Sequence, residues 1–251
     1  MQGTRWERVR SFALALGCLA AGAICGALFQ KHITAGRVLQ WAGVTRPQST
    51  LAEAHALQAE ERLSIFASLP RRVGGVLFLG DSHIEHGEWA EWFGRADIQN
   101  RGVGRIRIGG LSRCLPEVYR QQPSQIVIMC GVNDLLADGI STDRVARGYR
   151  ELLSELRTAL PQTKVLIHSI LPVAEPGVPT ADDVNAKVME INGRLANEAS
   201  EAGVSYVDLY SRVIDERGRL RSDLTYDGIH LNGKGYALWC ELLRPHLARP
   251  E

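Results

Sequence analysis

Short apolar runs alternate with longer amphipathic stretches through most of this chain, and that alternation restricts its fold more than any other feature. The apolar runs are nearly continuous, as in strands buried on both faces of a sheet, and the stretches between them have the spacing of helices with one apolar face. The sequence therefore predicts an α/β fold with a central parallel sheet covered by helices on both faces. The predicted strands occupy residues 76–79, around 98, 126–130, 165–170 and 204–209, and the predicted helices occupy residues 89–93, 111–121, 142–160, 184–202 and 235–247.

Residues 1–30 differ in character from the rest of the chain. Three arginines precede residues 11–30, which carry no charge and as a helix would be about 30 Å long, enough to cross a bilayer. Residues 21–23 read Ala-Gly-Ala, which resembles the cleavage site of a secretory signal peptide. We favour an uncleaved transmembrane signal anchor, because the full length of the uncharged stretch suits one. Its basic flank would stay inside and place the rest of the chain outside the cytoplasm, periplasmic or extracellular. Cleavage would instead release a secreted protein.

A linker and a folded domain are predicted after that segment. Residues 31–49 contain two glycines and a proline, which favour an irregular linker. Thr50 and Glu53 have the spacing of a helix capping box, and apolar residues then recur at helical spacing until a proline ends the pattern. The domain is therefore predicted to span residues 50–251 and to begin with a helix at residues 50–69.

Composition excludes several classes of function. The chain has 29 basic and 28 acidic residues, so a nucleic-acid binder that relies on bulk positive charge is not indicated. Its five cysteines are odd in number and form no Cys-x-x-Cys pair, so neither a zinc site nor a disulfide framework is indicated. We expect no metal and no cofactor, and the sequence leaves the oligomeric state open.

Polar residues follow the predicted strands, and these are the candidates for chemistry. Asp81 and Ser82 follow the first strand, residues 100–104 the second, residues 131–134 the third, and residues 227–230 precede the last helix. The carboxyl ends of parallel strands share one edge of the sheet, and ligands bind at that edge. We therefore expect these four clusters to converge on one site.

The last cluster contains a carboxylate three residues before an imidazole, Asp227 and His230. A general-base histidine needs a partner that fixes its tautomer and stabilises the imidazolium, and an aspartate at this spacing can do both. Ser82 is the best candidate for the nucleophile. Acyl transfer also needs hydrogen-bond donors around the developing oxyanion, and a glycine N–H and an asparagine amide are suitable.

These four clusters resemble the blocks of the SGNH subgroup of the GDSL esterases and acylhydrolases, which are named for a Ser, a Gly, an Asn and a His. The resemblance covers about residues 76–247, and it implies a flavodoxin-like three-layer α/β/α sandwich. No Gly-x-Ser-x-Gly motif surrounds the serine, which argues against an α/β-hydrolase. The matching residues are Ser82 in Gly80-Asp81-Ser82, Gly102 in Asn100-Arg101-Gly102, Asn133 in Gly131-Val132-Asn133 and His230 in Asp227-Gly228-Ile229-His230.

The resemblance implies a role for each residue. Ser82 would be the nucleophile, His230 the general base and then acid, and Asp227 the residue that orients the imidazole. The oxyanion hole would consist of the backbone N–H groups of Ser82 and Gly102 and the side-chain amide of Asn133. No metal would take part.

Two departures from the family pattern concern substrate and mechanism. His83 follows the nucleophile directly, and we interpret it as a bystander because His230 already fills the base role. Arg105 and Arg107 follow the second block, and as a hypothesis either pairs with a phosphate or a uronate carboxylate of an anionic substrate.

The function expected from the sequence is a serine ester hydrolase that removes small acyl groups, mainly acetyl. The substrate would be a carbohydrate ester or a lysophospholipid-like lipid ester. The first alternative is an O-acyltransferase that uses the same triad to acylate a sugar hydroxyl. The second alternative is a non-catalytic glycan-binding relic.

Overall fold

The computed structural model describes residues 51–137 and 140–249. The predicted signal or anchor segment at residues 1–30 and the linker at residues 31–49 lie outside the described residues. No helix within the described residues combines the length and apolarity that crossing a bilayer requires. Chain contacts group residues 55–251 into one unit, and the fold below is that of its described residues.

Five parallel strands form one sheet, as the alternation of apolar runs predicts. The order across the sheet is β2-β1-β3-β4-β5, which is the doubly wound order of flavodoxin-like folds. The strands are β1 (Val76–Gly80), β2 (Ile98–Gly102), β3 (Gln125–Met129), β4 (Lys164–His168) and β5 (Ser205–Val207). For the four strands with predicted limits, both ends lie within two residues of the prediction; the strand around residue 98 had no predicted limits.

Helices connect the strands at nearly the predicted positions. They are α1 (Leu51–Ser68), α2 (Ser82–Glu85), α3 (Trp89–Phe93), α4 (Leu115–Gln121), α5 (Val132–Leu135), α6 (Thr142–Ala159), α7 (Ala181–Ala202), α8 (Tyr210–Val213) and α9 (Gly233–Leu243), with 3₁₀ turns at Ile108–Cys114 and Arg244–His246. Ser141 caps α6, because its hydroxyl accepts from the N–H of Arg144. Asn232 caps α9 in the same way and fixes where the last helix begins, just after the predicted site.

The core lies in two layers, one on each face of the sheet. Leu77 and Leu79 of β1 pack in one cluster with buried residues of α6 and α7. Phe78, between them in sequence, packs in the other cluster with Trp89 of α3 and Trp239 of α9. Side chains of a strand alternate between faces, so β1, β3 and β4 each contribute buried apolar residues to both layers. This arrangement confirms the predicted central sheet with helices on both faces.

The strand order places the loops after β1, β2 and β3 side by side at one edge. β1 has β2 on one side and β3 on the other, so the chain changes direction across the sheet at β1. A crevice at such a switch point is where ligands bind in open α/β sheets. Gly80 ends β1 where a Cβ would lie 1.9 Å from the carbonyl oxygen of Met129, so only glycine fits there.

Candidate active site

Ser82 begins the short helix α2 directly after β1. Asp81 caps this helix, since its Oδ1 accepts from the N–H of His83 at 3.0 Å. The N–H of Ser82 itself has no acceptor within residues 51–137 and 140–249. Ser82 is 8% exposed, so a small ligand at the sheet edge can reach its hydroxyl while the backbone around it is held firmly.

A tight turn holds Asp227 and His230 in register. Oδ1 of Asp227 accepts from the N–H groups of Ile229 at 2.9 Å and His230 at 2.7 Å. The hydroxyl of Thr225 closes the turn by donating to the carbonyl of His230 at 2.7 Å and accepting from the N–H of Gly228 at 3.0 Å. One carboxylate oxygen therefore fixes the backbone of the turn and leaves the other free for the imidazole.

The structure brings Ser82, Asp227 and His230 together, as the sequence predicts. Nδ1 of His230 lies 2.6 Å from Oδ2 of Asp227, and its Nε2 lies 2.9 Å from Oγ of Ser82. Burial raises the pKa of Asp227, but hydrogen bonds from the imidazole and from the two backbone N–H groups outweigh it and lower the pKa. The carboxylate thus stays ionised and holds the proton on Nδ1, which leaves Nε2 able to accept the proton of the serine hydroxyl.

Asn133 also lies at this edge, in the first turn of α5. Its Nδ2 donates to the carbonyl of Ile106 at 3.1 Å, which ties the loop after β3 to the loop after β2. An amide nitrogen carries two hydrogens, so this bond leaves one donor of Asn133 for a ligand. Its neighbour Asp134 holds the same loop, because Oδ2 accepts from the N–H of Ile108 at 3.0 Å.

Gly102 differs from the prediction. Its single N–H donates to Oδ1 of Asn100 at 2.9 Å and is therefore already engaged in this structure. The glycine is needed for packing, since a Cβ there would lie 2.1 Å from the backbone nitrogen of Glu85. The N–H that the resemblance assigns to the oxyanion hole therefore already has an acceptor, the side chain of Asn100.

Arg105 offers an alternative N–H group in that loop. The N–H of Ile106 donates to the carbonyl of Val103 at 3.2 Å, which forms a reverse turn with Arg105 at its third position. Arg105 has a φ of 61°, in the left-handed region, as type II turns require at that position. Its N–H has no acceptor within the described parts of the chain.

The side chains of Arg105 and Arg107 are exposed and contact none of Ser82, Asp227 and His230. Both line a cleft of about 900 Å³ that is bounded on its other side by α6. The prediction that they meet an anionic substrate is not tested by these contacts.

His83, interpreted from the sequence as a bystander to the reaction, is held by hydrogen bonds beside the site. It is buried, its Nδ1 lies 3.2 Å from Oδ1 of Asp81, and its Nε2 lies 2.9 Å from the carbonyl oxygen of Ile229. It therefore links the segment that carries the nucleophile to the turn that carries the base. Burial lowers its pKa, but the hydrogen bond and charge of Asp81 and the carbonyl of Ile229 outweigh burial, so the pKa is raised. In the sequence, the only indication of this role is the position of His83 next to Ser82.

Two more rings surround the imidazole of His230. The centroid of His86 lies 5.0 Å away, and that of Tyr226 lies 6.4 Å away with its plane tilted by only 19°. Tyr226 is 69% exposed, so one face of the site is a solvent-facing aromatic ring. Among the described residues no group of three or more His, Cys, Asp and Glu side chains is arranged to hold a metal ion.

Comparison with known proteins bears on this geometry. The family model of the GDSL-like lipases and acylhydrolases matches residues 78–238, which include all four predicted blocks. The chain belongs to the GDSL-like lipase/acylhydrolase family. It is therefore an enzyme that hydrolyses ester bonds.

Individual relatives agree with this assignment. Platelet-activating factor acetylhydrolase IB subunit alpha2 is 27% identical over 181 residues in both Rattus norvegicus and Homo sapiens, covering 67% of this chain and 73% of the relative. A GDSL-like lipase from Bacteroides thetaiotaomicron has a similar fold, with a TM-score of 0.66 and 23% identity over 75% of this chain and 96% of that one. The acetyl xylan esterase AlAXEase has a TM-score of 0.58 and 20% identity over 70% of this chain and 100% of that one. These two structures show a shared fold.

Proposed function

We propose that this GDSL acylhydrolase removes short acyl groups, chiefly acetyl, through a covalent intermediate on Ser82. The observation that carries the proposal is the chain of contacts from Ser82 Oγ to His230 Nε2 at 2.9 Å and from His230 Nδ1 to Asp227 Oδ2 at 2.6 Å. A nucleophile, a base and a residue that orients the base, all within hydrogen-bond reach, are what nucleophilic acyl transfer requires.

The reaction proceeds in two halves. Oγ of Ser82 attacks the ester carbonyl carbon while its proton moves to Nε2 of His230, and Asp227 stabilises the resulting imidazolium. The tetrahedral intermediate collapses, the bond to the alkoxy oxygen breaks, and His230 gives its proton to the departing alcohol. Water then attacks the acyl-serine as His230 takes its proton, and the same imidazole returns that proton to Ser82 as the carboxylic acid leaves.

Three donors are available for the oxyanion of the tetrahedral intermediate. These are the N–H of Ser82, the second amide hydrogen of Asn133 and the N–H of Arg105, which takes the place that the sequence assigned to Gly102. The hydrogen bond from Asn133 to the carbonyl of Ile106 supports this grouping, because it joins Asn133 to the turn that contains Arg105. Donors preset in this way stabilise the charge that develops in the transition state.

One observation favours the acetyl group, and a second favours a carbohydrate carrier. The curated relatives that match are named as acetylhydrolases. The exposed ring of Tyr226 lies nearly parallel to His230 and offers a flat aromatic face of the kind on which a sugar ring can rest. We therefore place an acetylated carbohydrate ahead of a lysophospholipid-like ester.

The direct test is a substrate panel with the full-length protein. p-Nitrophenyl acetate, butyrate and octanoate give the chain-length profile, and an acetylated xylo-oligosaccharide and an acetylated lysophospholipid compare the carriers. We expect the acetate to be the best of the three nitrophenyl esters, with all turnover lost in Ser82→Ala. Equal rates for Ser82→Ala and wild type would refute the proposal, and release that requires an added sugar acceptor would instead indicate acyl transfer.

The cellular location is a separate proposal that rests on residues 1–30 alone. We propose that the hydrolase domain lies outside the cytoplasm, anchored by that segment through its basic flank and uncharged stretch. We expect a reporter that works only outside the cytoplasm to be active when it is fused to the C-terminus. Activity of a reporter that works only inside the cytoplasm would contradict this orientation.

A further inference from the structure

A cleft of about 900 Å³ beside the proposed active site is lined by four arginines. Arg105 and Arg107 come from the loop after β2, and Arg144 and Arg147 come from the first two turns of α6. Only the first pair lies next to one of the four sequence clusters. The second pair is nearly forty residues away along the chain, and only the fold brings the two pairs to one cleft.

None of these four guanidinium groups is used by the fold. Within residues 51–137 and 140–249 they form no ion pair and no hydrogen bond. The contrast with neighbouring arginines is clear, because Arg101 is paired with Glu117 at 3.0 Å and Arg150 with Glu198. Unpaired arginines that converge on one concave surface are available to bind a ligand.

The acidic residues of the cleft do not cancel this charge. Asp143 is paired with Arg194 at 2.5 Å, outside the set of four. Asp134 is buried and accepts from the N–H of Ile108, and burial raises its pKa. Glu151 is the third carboxylate, so among the described residues of the lining four guanidinium groups face three carboxylates, one of which is paired with Arg194. The N-terminus of α6 at Ser141 also borders the cleft and adds a partial positive charge.

The cleft and the proposed oxyanion hole share the loop after β2. Arg105 and Arg107 flank Ile106, whose carbonyl accepts the amide of Asn133. Asp134 follows Asn133 and holds the next residue of the loop, Ile108. A ligand that spans from Ser82 into the cleft would therefore pass along the loop that also supplies an oxyanion donor.

We propose that this cleft binds an anionic group, a phosphate or a carboxylate, carried by the ester substrate. The proposal rests on the proposed ester hydrolase function and adds the charge of its substrate. Guanidinium groups suit both anions because each presents a planar fork of donors to a pair of oxygens. Arg144 and Arg147 would be specificity residues that touch the carrier and not the reacting ester.

Binding is tested without turnover. Inorganic phosphate and galacturonate are titrated separately into the full-length protein at constant ionic strength, with the melting temperature and calorimetric heat as readouts. The test variant is Arg144→Gln/Arg147→Gln. The matched control is Arg150→Gln/Arg157→Gln, which removes the same charge from the same helix, outside the cleft. We expect at least one of the two anions to bind, with affinity about tenfold weaker in the test variant and within about twofold of wild type in the control. Which anion binds more tightly distinguishes a phosphate-bearing from a uronate-bearing substrate.

Selectivity in hydrolysis is the second readout. We compare kcat/KM for 4-acetoxybenzoate, which is anionic, with that for its neutral methyl ester. The test variant should lose about tenfold on the anionic ester only, and the control should keep the wild-type ratio. Failure of both anions to bind wild type, or equal responses of the two variants, overturns the proposal. Anion binding is measured without catalysis, so the two proposals can fail separately. Activity retained in Ser82→Ala would refute the proposed hydrolase mechanism, whereas absence of anion binding would refute the cleft proposal.

Discussion

Replacing Asp227 with asparagine should change only the side-chain atom that faces Nδ1 of His230 and leave the other contacts of Asp227 in place. The carbonyl oxygen of the new side chain can still accept from the N–H groups of Ile229 and His230, so the turn should remain folded. The atom facing Nδ1 becomes an amide nitrogen, which donates. Nδ1 must then accept, and the proton of the neutral ring moves to Nε2. His230 can no longer take the proton of Ser82.

The size of the effect follows from the contact that is lost. In wild type the carboxylate stabilises the imidazolium across 2.6 Å between nitrogen and oxygen, with the two side chains 23% and 36% exposed. For charges centred about 4 Å apart near a surface, with an effective dielectric constant of about 20, this is about 4 kcal/mol. Each 1.36 kcal/mol is about a factor of ten in rate, so kcat/KM should fall about a thousandfold, and the wrong tautomer adds to the loss.

The assay is hydrolysis of p-nitrophenyl acetate after subtraction of the Ser82→Ala background. Asp223→Asn is the matched control, because it removes the same charge from the same loop at a residue paired with Arg221 on the surface. The control should keep activity within about twofold, since exposed pairs contribute little. If Asp227→Asn retains more than about a tenth of wild-type activity while folded, the assignment of Asp227 as the orienting residue is refuted.

Two further predictions concern residues around the site, and a third concerns a buried asparagine of α7. The hydrogen bond and charge of Asp81 help to raise the pKa of His83 above its ordinary value of 6.5. Protonated His83 therefore stabilises the folded protein fully at pH values below its pKa in the unfolded chain. That stabilisation is lost as pH rises through its pKa in the folded protein. The free energy of unfolding of wild type should thus fall relative to that of His83→Gln over that range, and parallel curves would contradict this. Arg105→Gly should stabilise the protein by about 0.5–1 kcal/mol, because glycine adopts φ of 61° without strain, and should keep hydrolysis of neutral esters. Lower stability or loss of that hydrolysis would count against the backbone role of Arg105. Asn185→Ala should cost about 2–4 kcal/mol in denaturant unfolding, because it strands the buried N–H and carbonyl of Val173, and a cost below about 1 kcal/mol would contradict the account.

Much of the fold could be predicted because its signal is local. β1, β3 and β4 each contain a run of at least three apolar residues. Ser141 and Asn232 mark the starts of α6 and α9 with side-chain caps. The order of the strands has no such local signal, because it depends on which side of β1 each crossover passes. The resemblance implied a flavodoxin-like sandwich, and the structure gives the order.

The site divides in the same way. The spacing between Asp227 and His230 is local, so their contact could be predicted from the sequence. The third oxyanion donor could not be, because the N–H of Gly102 is taken by Asn100 through a side-chain contact that a motif does not specify. The unpaired state of Arg144 and Arg147 is likewise a property of the packed surface. On the sequence they look like ordinary solvated residues of an amphipathic helix.

Covalent labelling of Ser82 tests the central claim most directly. A fluorophosphonate probe reacts with a serine only when a base removes its proton, and the labelled peptide can be mapped by mass spectrometry. We expect a single labelled residue, Ser82, and a loss of ester hydrolysis in proportion to the fraction of Ser82 that is labelled. Both labelling and hydrolysis should be greatly slowed in Asp227→Asn. An enzyme that hydrolyses esters while Ser82 stays unlabelled, or that is labelled at another residue, would contradict that claim.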